Sequence, residues 1–132
     1  MANLKKYKPT SDVVVTKLKD ESGDTLINED GTEMTITRYL PHNPEYKRIK
    51  YNQQEKMLSD LTDGEELKLS WYEMSELSLE LLANTISEWD ITWGDDGEKP
   101  EYTPELAEEV LRTCEFLVSQ LKEAEDKALD FT

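Results

Sequence analysis

The chain has 132 residues, of which 36% are apolar and 34% charged, and its formal net charge is −15. One domain with an economical core is expected at this length, and with no apolar run near the roughly 18 residues of a membrane span and no charged-then-apolar leader, a soluble, non-secreted protein is expected. The acid excess lies in residues 59–132, with five Lys or Arg against twenty-one acids, whereas residues 1–58 carry ten against nine; such a field disfavours nucleic acid and lipid surfaces as partners.

Residues 1–11 (MANLKKYKPTS) are basic and polar and read as a flexible arm, followed by a single domain over 12–132. Over 12–40 the texture is β. Val13-Val14-Val15-Thr16-Lys17-Leu18 is a β-branched run, Ser22-Gly23-Asp24 a turn, and Thr25-Leu26-Ile27 a short second run. Asn28-Glu29-Asp30-Gly31 is a tight-turn signal, and Met34 to Leu40 alternates apolar with polar. A small antiparallel hairpin or meander follows, and a sheet of that size must pack on helices or on a partner.

Pro41-His42-Asn43-Pro44 ends the β segment, with Asn43 as N-cap and Pro44 as first residue of a helix over 43–61. Its apolar stripe (Tyr46, Ile49, Gln53, Met57, Leu61) is thin, so this helix is peripheral or completed by something else. A stronger helix is expected over 70–90, where Trp71, Met74, Leu77, Leu81, Leu82, Thr85, Ile86 and Trp89 recur at helical spacing as a core face. Gly94-Asp95-Asp96-Gly97 then turns the chain, with a small hairpin conceivable between 91–93 and 99–101. Thr103-Pro104-Glu105 opens a last helix over 103–130, whose weakest point by propensity is Thr113-Cys114, a site for a kink or a break. The fold class is therefore α+β, mainly α, with a β-hairpin or meander followed by about three helices.

Motifs for chemistry are sparse. The single cysteine, Cys114, excludes an internal disulfide and lies on an apolar helical face unsuited to a thiolate. The one histidine, His42, sits in a Pro-flanked turn, and any Ser-His-Asp or Cys-His triad would have to run through it. The five glycines are isolated turn markers, not a phosphate-cradling loop. Counted from Asp90, the EF-hand pattern fails at Ile91-Thr92-Trp93. No catalytic, cofactor-binding or metal-ligating residue is assigned, and an enzyme is the least favoured class. The acidic half leaves open an inhibitor that imitates a nucleic-acid backbone, with Glu105, Glu108, Glu109, Glu115 and Glu123 as its row of charges. A solvated helix face accounts for the same residues.

The order of segments resembles a known family. Gly23-Asp24-Thr25-Leu26 with Asp30-Gly31-Thr32-Glu33-Met34-Thr35-Ile36 is similar to its short β segment, and His42-Asn43-Pro44-Glu45-Tyr46-Lys47 to the start of its basic helix. Glu80-Leu81-Leu82-Ala83-Asn84-Thr85-Ile86-Ser87-Glu88-Trp89, a glycine-containing loop, and Tyr102-Thr103-Pro104-Glu105-Leu106-Ala107 form the most specific part. Ala128-Leu129-Asp130-Phe131 is similar to its aromatic ending. Over residues 12–131 the chain thus resembles the tail assembly chaperones of long-tailed, siphovirus-like bacteriophages. Leu106 stands where that family has a polar residue, and the N-terminal arm has no counterpart.

The resemblance implies a non-enzymatic protein of the bacterial host cytoplasm, absent from the mature virion. It would bind the tape measure protein and help recruit tail tube subunits, without cofactors. Another viral tail adaptor or completion protein is the neighbouring alternative, and self-association into a homo-oligomer is left open. Trp93, the one tryptophan without an assigned structural duty, and Tyr46, Ile49 and Met57 of the thin-striped helix are the expected partner contacts.

Overall fold

The computed structural model describes residues 11–59 and 69–129, and the expected arm (up to its last residue), Leu61 and the Asp130-Phe131 ending lie outside them. The elements run β1 (Val13–Lys17), β2 (Thr35–Tyr39), α1 (Pro44–Ser59), α2 (Trp71–Asn84), β3 (Ile86–Asp90), α3 (Pro104–Thr113) and α4 (Phe116–Ala128). The class is the expected α+β one, but the sheet differs in composition. It is three-stranded and antiparallel in the order β1-β2-β3, and its third strand comes from the region expected to finish the second long helix.

The segment between β1 and β2 supplies no full strand. Thr25 and Ile27 form isolated bridges to Lys19 and Glu33, and Leu26 donates to the Leu18 carbonyl and accepts from the Met34 amide, at 2.9 Å each. Asn28 is buried and holds this folded segment to the end of β3. Its Nδ2 donates to Thr32 Oγ1 and Asp90 Oδ1, and its Oδ1 accepts from the Thr92 hydroxyl at 2.7 Å.

Each helix start has a local cause. Asn43 Oδ1 accepts from the Glu45 amide at 2.9 Å, as an N-cap before a first-position proline should. Ser70 Oγ accepts from the Glu73 amide at 3.1 Å, an N-cap, and donates to the Glu73 carboxylate at 3.2 Å. Thr103 caps α3 through the Leu106 amide, with Pro104 behind it. The last helical stretch breaks where propensity is weakest. Cys114 ends α3 by donating to the Val110 carbonyl, and α4 restarts at Phe116. The break lets Val110 and Leu111 on one helix and Leu117 and Leu121 on the other enter one core.

That core joins Leu18 and Ile36 of the sheet region with Leu82, Ala83, Ile86 and Ile91 and the apolar faces of α3 and α4. α4 packs on β1 and α3 on α2, while α1 touches α2 lightly and buries only Tyr46. Helices therefore cover the sheet face that carries Ile36, and Val15 on the opposite face is exposed.

The helix expected through Trp89 stops at Asn84. Thr85 ends it: its hydroxyl donates to the Leu81 carbonyl at 2.7 Å, and its own carbonyl accepts from the Tyr39 amide at 2.8 Å, which starts the sheet pairing. A β-bulge follows, so that Arg38 pairs with Ile86 while Ile36 pairs with Trp89. The extra residue, Ser87, puts Ile86 and Trp89 on one face although they are three apart, the spacing that otherwise marks a helix. The expected core face of this helix is corrected at its other end too, since Trp71 and Met74 are exposed.

Candidate functional site

The stretch from Trp89 to Thr103 is a packed joint. The Trp89 and Tyr102 rings meet edge to face at 5.3 Å, Trp89 Nε1 donates to the Pro100 carbonyl at 2.9 Å, and the Tyr102 hydroxyl donates to the Ala83 carbonyl at 2.6 Å. Burial, with the charges of Tyr39, Glu105 and Glu108 behind it, pushes the Tyr102 phenol up to about 12. Trp93 packs against the core and donates its backbone N–H to the Glu98 carbonyl at 2.9 Å across the 94–97 turn, where Gly94 and Gly97 have positive φ. It thus has a structural duty that the sequence reading did not assign. Of the carboxylates nearby, Asp90 is bridged through Lys99 to Asp30 of the 28–31 turn.

The other expected contacts divide. Tyr46 is buried, Ile49 is half-buried in a groove of about 460 Å³ beneath α1, and Met57 is half-buried further along the helix. Gln53, on the same stripe, donates to the Leu77 carbonyl at 2.9 Å and ties α1 to α2. The three residues share one face of α1 but form no single exposed patch.

Exposure concentrates instead at the far end of the α1–α2 pair. Trp71 is 86% exposed, and Tyr72, Met74, Leu58 and Tyr51 are exposed with it. The first five residues of α2 are all exposed, and burial begins only at Glu76, where the helix meets Arg112 of α3 and, at Leu77, Gln53 of α1.

A second site missed from sequence is Arg38. It has the parity of Met34, Ile36 and Leu40, so a charge stands at a core position of the central strand, and its side chain is 1% exposed. Nη2 donates to Thr85 Oγ1 at 2.8 Å, Nη1 meets Glu125 Oε1 at 3.5 Å, and Nε has no hydrogen-bond partner among the described residues. Burial pulls the guanidinium below its ordinary range against the opposing pull of Glu125, and burial likewise raises the neighbouring Tyr46 phenol. A cavity of about 220 Å³ opens beside it, lined by Tyr46, Ser78, Leu81, Lys122, Glu125 and others.

The groups expected to lack chemistry have packing surroundings. Cys114 is half-buried and burial pushes its thiol up. His42 Nε2 lies 2.8 Å from the Ser11 carbonyl, holding the entry to β1. Among the described residues, no cluster of three or more His, Cys, Asp or Glu is placed to hold a metal ion, and no helix is long and apolar enough to cross a membrane. Comparison with family models, curated proteins and solved structures returned no match.

Proposed function

We propose that this protein is a non-enzymatic tail assembly chaperone of a long-tailed bacteriophage, acting in the bacterial cytoplasm on the tape measure protein and helping to recruit tail tube subunits. The observation that carries the reading is the apolar end of the α1–α2 pair. A monomer that buries its other tryptophans at least in part leaves Trp71 86% exposed beside Tyr72, Met74 and Leu58. Large apolar side chains left exposed at one end of a helix pair are what a protein-binding patch offers.

The segments quoted for the resemblance contribute to the core and to the joint between α2 and α3. Leu82, Ala83 and Ile86 enter the core, and Trp89 and Tyr102 form the joint that sets α2 against α3. On this reading the contact surface is Trp71 and its neighbours rather than Trp93, Tyr46, Ile49 and Met57. Co-expression with the tape measure protein of the same phage tests the reading: the partner should become more soluble and co-purify. Unchanged solubility together with no co-purification would overturn it.

A further inference from the structure

We propose that α1 is a hinged arm: pivoting at Asn43, it lifts off α2 as one unit and uncovers Leu77 and Leu81, which continue the exposed stripe of Trp71 and Met74. Three observations converge. The first is how little holds the helix down. Of its 16 residues Tyr46 alone is buried, Ile49, Gln53 and Met57 are half-buried, and the rest are exposed. The 10 residues of α3, by contrast, bury Ala107, Val110 and Leu111. The pairs Arg48–Glu45 and Tyr51–Glu55 are internal to α1. Among the described residues, its one side-chain hydrogen bond to another helix runs from Gln53 to the Leu77 carbonyl.

Second, α1 has a cavity on either flank. The groove of about 460 Å³ runs along Arg48, Ile49 and Asn52, and the cavity of about 220 Å³ lies beside Tyr46. Leu81 lines both, so it sits under the line of contact, and side chains facing such voids forgo packing partners. Third, the attachment is lopsided. At the helix start Asn43 Nδ2 donates to the Asp12 carbonyl at 3.1 Å, and the Asn43 amide donates to the Leu40 carbonyl at 2.8 Å. These bonds and Tyr46 pin the first turn to the sheet, and Gln53 holds what lies beyond. Once released, a helix of this length is marginal in water, so its own hydrogen bonds open with it. Trp71, Met74, Leu77 and Leu81 recur at helical spacing along α2. On the reading of the α2 end as the partner surface, on which this inference rests, the arm sets how far a partner reaches: to Met74 when closed, to Leu81 when open.

Native-state hydrogen exchange of the full-length chain, read by NMR without any partner, tests the arm. Arg48 to Met57 should share one protection factor, on the order of a hundredfold below those of Leu82 and Ala83 in α2. Gln53→Ala should lower protection of all these α1 amides together, on the order of tenfold, and leave Leu82, Ala83 and Ile36 unchanged. Protection that falls residue by residue toward Ser59 would mean fraying from the end, and protection equal to that of Leu82 would make α1 part of the core. Either result overturns the arm. Gating is read by locking: in a Cys114→Ala background, Gln53→Cys and Ser78→Cys joined by a short bismaleimide tie α1 to α2. The locked chain should bind the tape measure protein on the order of tenfold more weakly than the same chain unlinked. Equal binding overturns the gate. A partner that binds neither form counts against the proposed function, and the exchange data then decide the arm alone.

Discussion

Thr85 accepts a 2.8 Å hydrogen bond from Arg38 Nη2 while donating at 2.7 Å to the carbonyl of Leu81. One hydroxyl therefore ends α2 and meets the charge buried in the central strand. Thr85→Val keeps the shape and removes both bonds, leaving a buried guanidinium donor without an acceptor. The expected loss is about 1–3 kcal/mol, with Thr85→Ser losing less. Urea denaturation should show a lower midpoint at unchanged slope; a Thr85→Val midpoint equal to that of wild type would remove this pairing from the account.

Tyr102 couples the start of α3 to the end of α2 through its bond to the Ala83 carbonyl. Tyr102→Phe should lower stability by about 0.5–1.5 kcal/mol at neutral pH. A pH signature accompanies it. The folded phenol is raised to about 12 from an ordinary value near 10. Between those values the unfolded chain has released this proton and the folded one has not, so the contribution is complete below pH 10 and is lost as pH rises toward 12. Alkaline denaturation curves of Tyr102→Phe should fall less steeply across that window than those of wild type.

What could be read from the sequence, and what could not, follows from geometry. Alternation at Met34, Ile36 and Leu40 marked β2, and the Asn43-Pro44 and Thr103-Pro104 pairs marked two helix starts, because each of these signals acts within a few residues. β3 was hidden because its bulge spaces Ile86 and Trp89 like turns of a helix, and a bulge is set by the partner strand. Periodicity also reports which face of a helix is apolar, not how far its neighbour extends. Trp71 and Met74 continue the α2 stripe beyond the end of the body, so the same pattern reads as core at Leu82 and becomes surface at Trp71. Trp93 was the converse: its ring packs against the core from a segment whose backbone bonds Glu98 across a turn that no local pattern announces.

Two residues beyond β1, the chain is bracketed at Lys19 by a side chain of α4. Gln120 accepts from the Lys19 amide at 2.9 Å and donates to the Lys19 carbonyl at 2.7 Å, in the manner of a neighbouring strand. Open edges invite pairing with other chains. Gln120→Ala should cost about 1 kcal/mol and speed exchange of the Lys19 amide roughly tenfold. Hydrogen exchange by NMR checks this, and an unchanged Lys19 rate would show that another group protects the edge.

The exposed end of α2 gives a prediction that separates binding from folding. Trp71→Ser combined with Met74→Ser removes two exposed side chains, so stability should change by no more than about 0.5 kcal/mol for each. Co-purification with the tape measure protein should be lost. Trp93→Ala should show the reverse pattern, with lower stability from its core contacts and partner binding retained in the folded fraction. If the Trp71/Met74 variant binds as well as wild type, the contact surface lies elsewhere.

Lys99 predicts an acid-side counterpart to Tyr102. Its ammonium lies between Asp30 and Asp90, 2.8 Å from the latter, and donates to Thr32 Oγ1 at 3.1 Å. Lys99, then the Thr32 hydroxyl and amide, hold the Asp30 carboxyl well below the usual carboxylate range. A lowered folded value means that the unfolded chain takes up this proton first. The contribution is therefore present above an ordinary value near 4 and is lost as pH falls below it. The pair is exposed, so the effect is modest and weakens with salt. Lys99→Met should move the Asp30 side-chain carboxyl titration, followed by ¹³C NMR, up toward the ordinary range, while leaving Thr32 bonded. If Asp30 titrates as low in that variant as in wild type, the Thr32 bonds alone depress it, and Lys99 serves only as a tether between the 28–33 turn and the end of β3.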